Sequence, residues 1–373
     1  MNKTYLVGYY GMQNSGDDAL LAATAMGAKH YLGSDAFVVN TPTTVNIPNI
    51  GEYKPMLSEP QRFMAQNRLQ QYWAAATTNN VIFGGGSVLQ NQRDIDLKRD
   101  LLTLTGRSNN YALGVGIGPF KNTKAEKSCA HFLNSCDFVG VRDESSLDIA
   151  HTIAPWANVE LTFDLAPSLL KNVPKHTSNR EGIAVCLCPV ERLKGDSSAE
   201  QTRYREIANA LATLHQLTNQ SISFVDFNGH AIYGDRVVHQ EVSALLGDVP
   251  HRFVAYDSNP FNVMRELASK QIIISMRLHA SVFGFLTDTP VFSLNYHPKC
   301  LGWCEQIGMS KALYLPMNDL NATDLITQIT RGLERGFDEP RMSPLNAYHL
   351  SMNNWSKANE SISIKDICRH SFV

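Results

Sequence analysis

A chain of 373 residues with a formal charge of −2 is long enough for two domains, each with its own core. Its near-neutral charge gives no long-range attraction to nucleic acid or to an anionic membrane, and no stretch approaches the roughly 18 apolar residues of a membrane span. Seven cysteines show no CxxC pairing; Cys300 and Cys304 could share a helical face, but no partner CxxC or HxxxH completes a zinc site, so no metal is required.

The odd cysteine count in apolar contexts favours reduced, packed thiols. The apolar run from Lys3 to Gly8 is too short for a signal peptide. The expectation is a soluble, cytoplasmic protein that binds no nucleic acid, with peripheral membrane contact left open.

In chain order, short apolar runs alternate with helical patterns, which argues for parallel sheets covered on both faces. The first half offers strands at Thr4–Tyr9, Ala36–Asn40, Asn80–Phe83, Tyr111–Gly116, Phe138–Val141 and Glu160–Phe163, with helices such as Ala19–Tyr31 and Gln61–Ala76 between them. Lys171–Arg180, carrying Pro174, Lys175, Ser178 and Asn179, is polar and aperiodic and reads as a linker. The pattern restarts with strands at Gly182–Leu187, Ser221–Asp226, Arg252–Ala255, Gln271–Ser275 and Pro290–Asn295, and the long helix Ala199–Thr218. The expected division is therefore 1–172, 180–345 and a tail at 346–373 that packs back on the first domain. Neither a repeat nor a low-complexity tract interrupts it. Two sheet domains in series imply a cleft between them, a favoured place for a ligand.

Three glycine-bearing segments sit at strand ends in the first half. In Gly8-Tyr-Tyr-Gly-Met-Gln-Asn-Ser-Gly-Asp-Asp18, Gly11 and Gly16 permit positive φ, and Asp17 or Asp18 can cap the next helix. The spacing is not GxGxxG, so it carries no dinucleotide signature. Gly84, Gly85 and Gly86 let a ligand or another backbone come close, and Gly114-Val-Gly-Ile-Gly-Pro119 repeats the theme. In the second half the β-branched run Ile272–Ser275 empties into Arg277 and His279 and then into the helical run Ala280–Leu286. Open α/β sheets bind ligands outside the carboxyl ends of their strands, where helix N-termini collect. A guanidinium and an imidazole at that edge suit an anionic substrate and a proton transfer.

These segments, in this order, carry a resemblance. Gly8-Tyr-Tyr-Gly with Asn14, Gly16, Asp17 and Asp18; Gly84-Gly-Gly with Leu89; Gly114 to Pro119; Val141-Arg-Asp143 with Ser145 and Ser146; Met276-Arg-Leu-His-Ala280; and Pro290-Val with Asn295-Tyr-His-Pro-Lys299 resemble the polysaccharide pyruvyltransferase family from about Tyr5 to Met309. Two departures stand at Asp164-Leu-Ala166, where many members carry Asp-Pro-Ala, and at Tyr296-His297, where an Asp commonly precedes Pro-Lys. The resemblance implies two Rossmann-like domains similar to GT-B glycosyltransferases, with the reaction in the interdomain cleft. It implies phosphoenolpyruvate as donor, and as acceptor a sugar of a cell-surface glycan or its lipid-linked oligosaccharide precursor. Pyruvate would be attached as a cyclic ketal with release of phosphate. Phosphoenolpyruvate is then a substrate, and no cofactor is required.

That chemistry can be set against residue types. Phosphoenolpyruvate carries a phosphate and a carboxylate. Arg142 and Arg277 suit bidentate contacts and Lys299 a point contact to phosphate, with Leu278 grouped among the donor residues. His279 is the acid–base candidate, by type and by position. Asn14, Gly16, Asp17, Asp18, Gly84, Gly85, Gly86 and His297 are the glycine-loop and acceptor candidates, and Tyr9, Tyr10 and Trp303 could stack on a sugar face. Two other readings use the same features: a nucleotide-sugar-dependent GT-B glycosyltransferase and a non-catalytic glycan-binding protein. The acceptor sugar, the bridged hydroxyl pair, the ketal stereochemistry and the oligomeric state leave no mark on the sequence.

Overall fold

The computed structural model describes residues 2–48, 53–105, 109–175, 179–190 and 197–370. The linker expected at Lys171–Arg180 lies partly outside these, at 176–178. By internal contacts the chain forms two compact units, Met1–Met12 with Asp17–Leu169 and Asn346–Val373, and Gln13–Gly16 with Leu170–Leu345.

The first unit is built on seven strands: β1 (Lys3–Val7), β2 (Ala36–Val39), β3 (Lys54–Pro55), β4 (Asn80–Leu89), β5 (Asn109–Ile117), β6 (Phe138–Val141) and β7 (Val159–Leu161), in the order β3-β2-β1-β4-β5-β6-β7. The second holds β8 (Ile183–Cys186), β9 (Ile222–Val225), β10 (His251–Val254), β11 (Ile272–Ser275), β12 (Val291–Asn295) and β13 (Tyr314–Pro316), in the order β10-β9-β8-β11-β12-β13. Every pairing is parallel. These are two Rossmann-like domains. The β-branched runs read as strands because parallel strands bury both faces: β6, β8, β9 and β11 are buried throughout, whereas the edge strand β10 is not. In each sheet the order reverses beside the first strand, between β1 and β4 and between β8 and β11, and ligands favour the carboxyl side of such points.

The structure corrects several sequence expectations. The triple glycine does not follow a strand; it lies inside β4, where the register with β5 shifts between Gly86 and Leu89. Gly85 and Gly86 take φ of 73° and 83°, which only glycine adopts cheaply. Gly114 and Gly116 likewise fall within β5, beside a second register shift. The short strands β3 and β13 have no apolar run long enough to announce them. The second helix starts at Gln66, not Gln61, because Ala65 at its N-cap sits in the left-handed region.

Among the contacts of the last helix, Pro344–His370, with the first unit is the buried amide of Asn354. Asn354 Oδ1 accepts from Gly114 N at 2.7 Å and lies 2.8 Å from Thr162 Oγ1, while Nδ2 donates to the carbonyls of Phe163 and Ser351, each at 3.0 Å. A Cβ on Gly140 would fall on Asn354 Oδ1, and one on Gly27 on the Trp355 indole, so both glycines make room for this helix. Asn354→Leu removes the acceptor and orphans the buried Gly114 N–H. It should lower unfolding stability by about 2–3 kcal/mol, read as a drop in the denaturant midpoint; an unchanged midpoint would show that the amide does not anchor the helix.

Candidate functional site

The carboxyl edge of the second sheet collects charge. Arg277 is the N-cap of the helix Leu278–Leu286, so Leu278 and His279 stand in its first turn, not in a preceding loop. His297 is the N-cap of the helix Pro298–Gln306, its Nδ1 accepting from Lys299 N at 3.2 Å. Neither helix has an acidic residue in its first turn. A helix N-terminus already carries partial positive charge, so placing Arg277 and Lys299 there is locally unfavourable. Such a conflict marks a place where an anion is wanted.

Asp235 meets part of that demand from within the fold. It is fully buried, and its carboxylate takes Arg277 from the side, through Nε at 3.1 Å and through a short contact to Nη2. Burial pulls the Arg277 pKa down, but the Asp235 charge and hydrogen bonds more than offset it and hold the guanidinium ionised. Asp235 also accepts from the backbone N–H groups of Phe227 and Asn228, both at 3.0 Å. Alongside, His239 Nε2 accepts from Leu187 N at 3.0 Å while Nδ1 lies 2.6 Å from Asp226 Oδ1. The ring proton therefore sits on Nδ1, and the imidazole ties the ends of β8 and β9 together. Cys188 lies within the fields of both Arg277 and Lys299; burial nevertheless pushes its thiol up to about 12, so it stays neutral. Burial likewise raises the Tyr296 phenol well above its usual range, with the Arg277 guanidinium opposing the shift.

Asn14 and Gly16 belong to the same unit. Asn14 bridges Asn228 in antiparallel fashion, Ser15 N donates to Phe227 O at 2.9 Å, and Gly229 N donates to Gln13 O at 2.9 Å. The Asn14 side chain accepts from Gly16 N at 3.0 Å. This lays Gly16 directly against the His279 imidazole, where a Cβ would overlap the ring. Phe283, one helical turn on, holds the ring at 6.4 Å between centroids, and Phe227 backs Phe283 at 5.5 Å.

The remaining sequence candidates, Trp303 apart, lie in the first unit. Asp18 is buried and accepts from Gly11 N at 3.2 Å, which makes it a loop holder, and Asp17 follows the Asn14–Gly16 turn, half-buried. Gly84 O accepts from the buried Tyr10 hydroxyl at 2.7 Å. Tyr10 and Trp303, at 1% and 4% exposure, are packing residues and cannot stack on a sugar; Tyr9 is exposed. Arg142 reaches Ser87 Oγ at 2.8 Å and pairs with Asp143 and Asp164 at 3.4 and 3.8 Å. The structure thus places Arg277, Leu278, His279, His297, Lys299, Asn14 and Gly16 in one unit, and Arg142, Asp17, Asp18 and Gly84–Gly86 in the other.

A sequence profile described as Polysaccharide pyruvyl transferase matches residues 14–298. The chain belongs to that family. Solved structures similar to it include UDP-N-acetylglucosamine 2-epimerase from Rickettsia bellii, at 12% identity over 97% of this chain and 96% of that one, with a TM-score of 0.61. The UDP-GlcNAc 2-epimerase of Neisseria meningitidis bound to UDP-GlcNAc matches at 11% identity over 98% and 99%, TM-score 0.59. The lipopolysaccharide outer core galactosyltransferase WaaB in its apo form matches at 10% over 98% and 100%, TM-score 0.51. At such identities the likeness is one of fold, shared with GT-B enzymes.

Sequence reasoning missed Asp226, Asp235 and His239 in this pyruvyl transferase. Gly234-Asp235 before a helical run signals a helix start, but nothing local pairs Asp235 with a guanidinium 42 residues on. It also missed the docking of Gln13–Gly16 on 227–229. Gly16→Ala should leave the far-UV circular dichroism unchanged while displacing the imidazole, read as a shift of the His279 ring signals in histidine-labelled NMR spectra; unmoved signals would show that the ring does not depend on Gly16.

Proposed function

We propose that this pyruvyl transferase moves the pyruvate moiety of phosphoenolpyruvate onto two hydroxyls of a sugar in a cell-surface polysaccharide or its lipid-linked precursor, in the cytoplasm, forming a cyclic ketal and releasing phosphate. The observation that carries the reading is the pair of cations, Arg277 and Lys299, at the N-termini of two neighbouring helices with no carboxylate in either first turn, and His279 one residue inside the first. Side-on pairing with Asp235 leaves Arg277 Nη1 directed away from that carboxylate, toward a planar anionic group. Lys299 and the two helix ends suit the phosphate.

The atoms balance. One sugar hydroxyl adds to the carbon that bears the enol phosphate as the methylene carbon gains a proton and becomes methyl. The bond to phosphate oxygen then breaks, the second hydroxyl closes the ring, and its proton leaves with phosphate. Two hydroxyl protons are lost, one to carbon and one to phosphate. His279 is the group assigned to carry protons in these steps, and the proposed chemistry calls on no cofactor.

Phosphate release from phosphoenolpyruvate in the presence of candidate sugar acceptors tests the reading. Stabilisation by UDP, with no response to phosphoenolpyruvate, would favour nucleotide-sugar transfer; sugar binding without turnover, unaffected by His279→Ala, would favour a binding protein. His279→Ala should lower turnover by about 10²–10⁴-fold in a folded protein. His279→Gln, which keeps hydrogen bonding but shuttles no proton at neutral pH, should not restore the rate, and near-normal turnover there would reduce His279 to a donor-positioning group. Arg277→Lys keeps the charge beside Asp235 but loses the planar fork; it should weaken phosphoenolpyruvate binding by about 1.5–3 kcal/mol, and unchanged affinity by calorimetry would remove Arg277 from the donor site.

A further inference from the structure

We infer that Asp235 is the positioning residue of the donor site: a single buried carboxylate orients Arg277 and, through the backbone at 227–229, sets the segment Gln13–Gly16 against His279. The inference rests on the donor reading above and goes beyond it, because it assigns the anion-binding guanidinium and the placement of the acid–base imidazole to one group that contacts no substrate.

A closed path of contacts runs within the second unit. The Asp235 carboxylate receives four hydrogen bonds, two from Arg277 and one each from Phe227 N and Asn228 N. The Phe227 carbonyl receives Ser15 N, Asn228 bridges Asn14, and Gly229 N returns to Gln13 O. Asn14 turns the chain so that Gly16 abuts the His279 ring. Arg277 closes the path covalently, standing two residues before His279 on the same helix end. Asp235 has zero exposure, so no substrate atom reaches it.

Its geometry is that of a ligand-orienting carboxylate. It grips Nε and Nη2 and so fixes the guanidinium plane, which a lone salt bridge through one nitrogen would leave free to rotate. It also lies at the start of the helix Asp235–Ser243, where a negative charge is favoured. The same carboxylate thus satisfies a helix end, two loop amides and a half-buried cation.

The test uses the full chain with two readouts, phosphoenolpyruvate affinity by calorimetry and amide hydrogen exchange at Ser15, Phe227, Asn228 and Gly229. Asp235→Asn should weaken phosphoenolpyruvate binding roughly ten- to hundredfold and speed exchange at all four amides. Placed on an Arg277→Ala background, it should cause little further loss of affinity while still speeding exchange, the pattern of a residue that acts through Arg277. An undiminished second loss of affinity, or exchange at wild-type rates, overturns the inference. Should Asp235→Asn fail to fold, Asp235→Glu keeps the charge and advances the carboxylate by one methylene. It should shift both readouts in the same directions, and wild-type behaviour in both overturns the inference. If the wild-type chain does not take phosphoenolpyruvate, the donor reading fails; the exchange data then decide the role of Asp235 by themselves.

Discussion

The candidate site depends on an ion pair in an awkward place, a half-buried Arg277 against a fully buried Asp235. A guanidinium at a helix N-terminus meets the positive end of the backbone dipole, and a buried cation without a partner is strongly destabilising. Asp235 resolves both problems for Arg277, at the cost of being a buried carboxylate that needs several donors of its own. It finds them in two loop amides and the guanidinium fork. Once that arrangement is fixed, the loop after β9 is fixed with it, and so is the segment that lies on that loop. Lys299 stands in the first turn of the helix Pro298–Gln306, which has no acidic residue there.

The glycines that first suggest a ligand-binding edge serve in large part the protein's own side chains. Gly16 admits the His279 ring, Gly84 the Tyr10 and Thr24 hydroxyls, Gly116 the Arg142 guanidinium and Gly140 the Asn354 amide. In each case the missing Cβ is replaced by a functional or anchoring group from elsewhere in the chain. Close approach is what glycine supplies; what approaches is decided by packing.

The same pair of Rossmann-like sheets underlies UDP-GlcNAc epimerases and a galactosyltransferase at about a tenth identity. The architecture places helix N-termini and strand ends on one edge of each sheet, which suits any phosphorylated substrate. What separates chemistries on this scaffold is the identity of a few residues on that edge. On the proposed reading those are Arg277, His279 and Lys299 in this chain, with Asp235 and the Gln13–Gly16 segment behind them.

The sequence by itself determined the fold class and the family, and it named the candidate site residues. Buried parallel strands must be apolar on both faces, so runs such as Ile272–Ser275 announce themselves, and the Arg-Leu-His run follows directly from one of them. It located strand cores but not their ends: β4 and β5 run on through glycines that look like loop residues, because backbone pairing can continue where side chains cannot report it. Tertiary structure alone decided that Asp235 meets Arg277, that Arg142 is held by Ser87 and Asp164, and that Gly16 covers His279. Each of these joins segments tens to hundreds of residues apart. Local periodicity describes which face of an element is apolar, whereas which two faces or loop ends meet is set by how the elements are packed.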